Sequence, residues 1–232
     1  MASLASLKET IERGGRIKLL GDSITHGVGG DGFKQDGEHI VNEFSRNPNG
    51  YCWANLLRDS LASKYGCTVI NNACTGTKIE FIIEHFDTLV SDTDDCVICT
   101  IGTNNRHQYF HTGAKRERGE MLDTFYNNIL RLNGMFKEKG VAVVFAANIP
   151  ASRKNELDGE DYWRILHMDD INNLYKKASA AQGFELISIY DLALDYMAKN
   201  GCGIDDILCD GLHPNNKGHE MIFELLCNEI GA

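Results

Sequence analysis

Basic residues are scarce in this 232-residue chain: 23 Lys and Arg stand against 33 Asp and Glu, a formal charge of −10. That deficit argues against a nucleic-acid or anionic-membrane partner, both of which recruit basic patches. Long apolar runs are missing as well, and none approaches the roughly 18 residues needed to cross a bilayer. No secretory signal is visible, because Lys8, Glu9, Glu12 and Arg13 interrupt any apolar stretch at the start. Leu4, Leu7 and Ile11 fall instead at helical spacing, which predicts a short amphipathic lead-in within residues 1–14. The expectation is a cytoplasmic protein. There is no internal repeat, no low-complexity tract and no linker rich in Pro, Gly and Ser, so a single domain over 1–232 is expected.

Eight cysteines are present, but their spacing is not that of a framework. The CxxC of Cys96 and Cys99 lies in DDCVICTIG, which reads as a strand, and residues three apart on a strand point to opposite faces. That suits neither a redox turn nor a metal clip, so the cysteines read as reduced, small core residues.

Five apolar runs read as strands: Ile17–Leu20, Thr68–Asn71, Cys96–Ile101, Val141–Ala147 and Glu185–Ile189. Between them the apolar spacing predicts helices over Tyr51–Lys64, Ile79–Leu89, Glu117–Lys139 and Tyr162–Gln182, and after the last strand over Asn216–Ile230. Strands with few polar positions, alternating with helices, imply a parallel sheet covered on both faces, a three-layer α/β/α arrangement. Gly66, Gly140 and Gly183 each fall where a helix should stop. Two segments fit no element, Val28–Gly50 and Arg106–Arg118, and long loops at the carboxyl edge of a sheet serve as site walls.

The stretch RIKLLGDSITHGVGG, Arg16–Gly30, delivers Ser23 to that edge. A serine hydroxyl becomes nucleophilic only beside a base, and the base needs an orienting acceptor. Asp210-Gly-Leu-His213-Pro214 offers both: His213 can take the Ser23 proton on one nitrogen while Asp210 holds the other N–H. Pro214 is read as the start of the last helix. Donors for an oxyanion come from the Ser23 backbone N–H, from Gly76 in the turn after the second strand, and from the Asn104 amide after the third.

Taken together, Gly21-Asp22-Ser23-Ile24-Thr25, Gly76, Gly102-Thr103-Asn104 and Asp210-xx-His213-Pro214 resemble the four-block pattern of the SGNH (GDSL-type) hydrolases, in family order and over nearly the whole chain. The resemblance implies a flavodoxin-like fold with a five-stranded parallel sheet, and ester hydrolysis through an acyl-enzyme without metal or cofactor. It makes Ser23 the nucleophile, His213 the base and Asp210 the orienter, with Ser23, Gly76 and Asn104 as the oxyanion hole. Asp22 would brace the turn. Two positions depart from the pattern: Asn105 stands where the family usually has Asp, and Ala73 where a Gly is common. The G-x-S-x-G elbow is a different motif, since position 25 is Thr.

Among the other histidines, His26 and His107, with Arg106, are candidate substrate contacts; His111 is a second loop histidine, and His219 falls on the last helix. His39, His85 and His167 have no evident partner, and no metal site is read. A flavin- or nucleotide-binding module is the rival from another class, but the loop lacks the Walker Lys and the GxGxxG spacing. An acyltransferase, lysophospholipase or thioesterase would use the same triad. The candidate walls are polar (Lys34, Gln35, Glu38, Asn42, Arg106, His107, Gln108 and Tyr109), which suits a short-chain, acetyl ester of a small molecule or saccharide.

Overall fold

A computed structural model describes residues 4–35, 45–107, 116–152 and 165–232. Its elements run α1 (Ala5–Glu12), β1 (Arg16–Gly21), α2 (Ser23–His26), α3 (Trp53–Tyr65), β2 (Thr68–Asn71), α4 (Ile79–Glu84), α5 (Phe86–Leu89), β3 (Cys96–Thr100), a 3₁₀ turn (Thr103–Arg106), α6 (Arg118–Lys139), β4 (Ala142–Ala147), α7 (Met168–Gln182), β5 (Glu185–Ser188), α8 (Ile189–Asn200) and α9 (Asn216–Ile230). The strands form a five-stranded sheet in the order β2-β1-β3-β4-β5, every pair parallel. This is the doubly wound arrangement of the flavodoxin type, in which ligands bind outside the carboxyl ends of the strands where the order reverses. The reversal falls between β1 and β3, where Ser23 leaves the sheet.

The alternation along each strand feeds two cores. Ile17, Leu19, Ile98, Val144 and Ile187 face one layer, with Leu57, Leu61, Met221 and Leu226. Leu20, Val97, Cys99 and Phe145 face the other, with Phe125, Ile129, Phe136 and Tyr175. Period-two alternation with apolar residues on both faces is what a sheet covered on both sides requires. Cys96 and Cys99 accordingly sit in opposite cores. Lys18 on β1 is a charged residue within this pattern: fully buried, its ammonium reaches Asp94 at 2.8 Å and the Leu89 carbonyl at 3.0 Å.

Several expected boundaries shift for local reasons. The helix expected over Ile79–Leu89 breaks at His85 into α4 and α5. The strand expected to reach Ile189 stops at Ser188, whose hydroxyl accepts from the Asp191 N–H and so caps α8, a helix not foreseen. Tyr162, Trp163 and Arg164 of the expected fourth helix lie outside the described residues, and α7 opens at Met168. Pro214 does not start α9. It forms a bridge with Leu208, and the cap is Asn215, which accepts from the Gly218 N–H at 3.0 Å.

Candidate active site

The hydroxyl of Ser23 lies 2.9 Å from Nε2 of His213, whose Nδ1 lies 2.6 Å from Oδ2 of Asp210. Ser23 opens the four-residue α2 immediately beyond β1; Asp22 takes an extended conformation, and its carboxylate accepts from the Ile24 N–H at 3.1 Å. Gly21 is required at the strand end, because a Cβ there would collide with the side-chain oxygens of Thr100 and Thr25.

The Asp210–His213 segment is a closed loop. The Cys209 N–H donates to the His213 carbonyl at 2.9 Å, and Asp210 Oδ1 accepts from the backbone N–H groups of Leu212 (3.0 Å) and His213 (2.7 Å). Partial burial pushes the Asp210 carboxyl up, but the two amides and the imidazole outweigh it and hold the group below the ordinary carboxylate range. An ionised Asp210 can only accept, so the imidazole proton sits on Nδ1 and donates to Oδ2, and Nε2 keeps its lone pair for the Ser23 O–H.

The expected oxyanion donors lie on turns stitched to this centre. Beyond β2, the Cys74 N–H donates to the Gly21 carbonyl at 3.1 Å and the Thr75 N–H to His26 Nδ1 at 3.3 Å. Gly76 follows, exposed and at φ +82°, a conformation that favours glycine. Asn104, in the 3₁₀ turn, donates one amide proton to the Thr77 carbonyl at 3.0 Å, which leaves its second N–H for a ligand. The turns of Ser23, Gly76 and Asn104 are thus joined by hydrogen bonds at one edge of the sheet.

Two expected substrate contacts turn out to be scaffold. His26 is fully buried; its Nδ1 faces the Thr75 N–H and hydroxyl, and its ring stacks edge-on against Phe33. Arg106 is fully buried, with Nε donating to the Thr103 carbonyl at 3.1 Å. A polar side chain beside a strand exit looks the same in sequence whether it points out or in. His107 is half-buried, while Glu38, Asn42, Gln108, Tyr109, His111 and His39 lie outside the described residues.

His219 falls on α9 as expected and is buried there. Its Nε2–H donates to the Val28 carbonyl at 3.2 Å and its Nδ1 accepts from the Trp53 N–H at 3.5 Å, tying α9 to the loop after Ser23. Burial pushes its pKa down to about 4, so the ring is neutral at pH 7. Asn105, the departure from Asp, is a bracing residue: Oδ1 accepts the Ile79 N–H at the start of α4 at 3.1 Å, and Nδ2 donates to Glu80 Oε2 at 2.8 Å. Glu80 Oε1 accepts in turn from Asn128 on α6. Among the described residues no group of three or more His, Cys, Asp or Glu is arranged to hold a metal ion, and no helix is long and apolar enough to cross a membrane.

A sheet of this order with a serine–histidine–aspartate relay at its carboxyl edge defines an acyl-transferring hydrolase class. Residues 19–221 match the model of the GDSL-like lipase/acylhydrolase family, and the chain belongs to that family. It is a carboxylic-ester hydrolase. No curated protein sequence is significantly similar to it. Its fold is similar to that of an acetylxylan esterase from Geobacillus stearothermophilus, at 17% identity and a TM-score of 0.68, covering 96% of this chain and 97% of that one. A GDSL-like lipase from Parabacteroides merdae gives 17% and 0.70 over 95% and 97%. A lipase/acylhydrolase from Enterococcus faecalis gives 21% and 0.65 over 93% and 95%.

Proposed function

We propose that the protein hydrolyses short-chain, above all acetyl, esters through an acyl-enzyme on Ser23. The observation that supports the acyl-enzyme chemistry is the relay itself, whichever ester is the substrate: two residues 190 positions apart meet at 2.9 Å, and the second is oriented by a carboxylate at 2.6 Å. His213 Nε2 takes the Ser23 proton as Oγ bonds to the carbonyl carbon. Asp210 stabilises the imidazolium formed, and the Ser23 N–H, the Gly76 N–H and the Asn104 amide bind the oxyanion. Collapse expels the alcohol, which takes the proton from His213; a water activated by the same imidazole then releases the acid.

An O-acetylated carbohydrate is the substrate class we favour. Polar candidate walls such as Lys34, Gln35 and His107 suit a hydroxyl-rich leaving group, and one protein of similar fold is an acetylxylan esterase. A series of p-nitrophenyl esters from acetate to decanoate, run beside acetylated xylo-oligosaccharides, tests the reading. Acetyl should be turned over fastest; a preference for decanoate would sink it.

A further inference from the structure

The turn of the nucleophile and the turn of Asn104 are not held by the sheet alone. β4 ends at Ala147, and the next residue, Asn148, is buried with its side-chain amide between them. Its Nδ2 donates to Asp22 Oδ2 at 3.1 Å and to Thr103 Oγ1 at 2.8 Å. Asp22 directly precedes Ser23, and Thr103 directly precedes Asn104. We infer that Asn148 is a positioning residue for ester hydrolysis, its amide clamping the Ser23 turn to the Asn104 turn so that the nucleophile and an oxyanion donor keep a fixed separation. This inference rests on the roles given above to Ser23 and Asn104.

The chemistry of the cluster fits a clamp. Asp22 is fully buried, so its carboxylate must find its donors within the protein, and it does: the Ile24 N–H on one oxygen, Asn148 on the other, and the Thr103 hydroxyl. Burial pushes this carboxyl up, against the pull of those donors and of the nearby Arg106 guanidinium. One NH₂ group with two protons suits one carboxylate and one hydroxyl, and no other side chain of that length offers two donors from a single atom there. Remove the amide and the Asp22 and Thr103 oxygens each lose a donor. The β1 and β3 exits are then free to shift relative to each other, and a misplacement of 1 Å is worth about 100-fold in rate.

The test compares wild type, Asn148→Ala, Thr103→Val, Thr103→Ser, the double variant of the first two, and Ser23→Ala, on p-nitrophenyl acetate. Active sites are counted by exhaustive fluorophosphonate labelling, so that kcat is expressed per competent site. In Asn148→Ala and in Thr103→Val, kcat per labelled site should fall about 10- to 100-fold with KM changed less than about threefold. Thr103→Ser should return most of the loss, and the double variant should be no worse than the weaker single one. Wild-type kcat per site in Asn148→Ala, whatever its melting temperature, would mean that the residue only stabilises the fold. If Asn148→Ala does not fold, Thr103→Val decides: full kcat per site there overturns the clamp. Turnover surviving in Ser23→Ala would remove the nucleophile assignment itself, a failure separate from that of Asn148.

Discussion

Replacing Asn105 by Asp keeps the shape of the side chain and exchanges a donor for a negative oxygen 2.8 Å from Glu80 Oε2. Two ionised oxygens at that separation repel by about 6 kcal/mol at an effective dielectric of 20. Protonating one carboxyl at pH 7, from an ordinary pKa near 4, costs about 4 kcal/mol. Protonation is the cheaper route, so the folded variant keeps one shared proton. With the proton on Glu80 the single negative charge moves to position 105, whose oxygen accepts the Ile79 N–H at the start of α4, and this returns no more than about 1 kcal/mol. The expected net loss at pH 7 is therefore about 3 kcal/mol, which for a chain of this size lowers Tm by roughly 6–12 °C. The sign with pH follows from linkage. The folded pair binds a proton that the unfolded chain has released, so its folded pKa lies above the unfolded one. The variant's deficit is absent below about pH 4 and grows as pH rises through the folded value. Thermal melts of both proteins by circular dichroism at pH 4.5 and pH 8 measure it. Equal Tm at pH 8 would refute the reasoning, because the Asn105–Glu80 contact would then carry no charge balance.

Three other perturbations have defined outcomes. Asp94→Asn leaves the Lys18 ammonium buried without its counter-ion, at a loss of about 3–5 kcal/mol, whereas Lys18→Met with Asp94→Leu should lose far less; urea unfolding of the two variants compares them, and a single-variant loss under about 1 kcal/mol would contradict this account. The His219 pKa is pushed down to about 4 in the folded state, below the unfolded value, so stability is present above pH 6.5 and falls by roughly 3 kcal/mol as pH drops towards 4. His219→Gln should flatten that part of the pH–stability curve, and an unchanged slope would reject the assignment. Asn104→Ala should lower kcat by on the order of 10²–10³, and full activity would remove Asn104 from the oxyanion hole.

The strands were legible because each buries both faces, which writes a short apolar run into the chain; β2, Thr68–Asn71, falls where it was read, residue for residue. Helix ends at Gly66, Gly140 and Gly183 were legible because glycine takes the left-handed cap without penalty, and all three have positive φ. α8 was lost because Ser188 ends a strand and caps a helix at once, so the apolar run Leu186–Ile189 hides the switch. The relay residues could be read because their types and order are restrictive. Asn148 could not, since an asparagine after a strand looks like any loop residue until β1, β3 and β4 bring Asp22 and Thr103 to it. Nor could the inward turn of His26 and Arg106 be seen, because burial of a polar side chain depends on partners supplied by other strands.

The most direct test of the central claim is covalent labelling of the intact protein by a fluorophosphonate, read by mass spectrometry with peptide mapping. The account predicts one adduct per chain, on Ser23, formed rapidly by the wild type, slowed by orders of magnitude in His213→Ala and absent in Ser23→Ala. Labelling of Ser23→Ala at the wild-type rate, or an unlabelled wild type, would contradict an activated serine at this position.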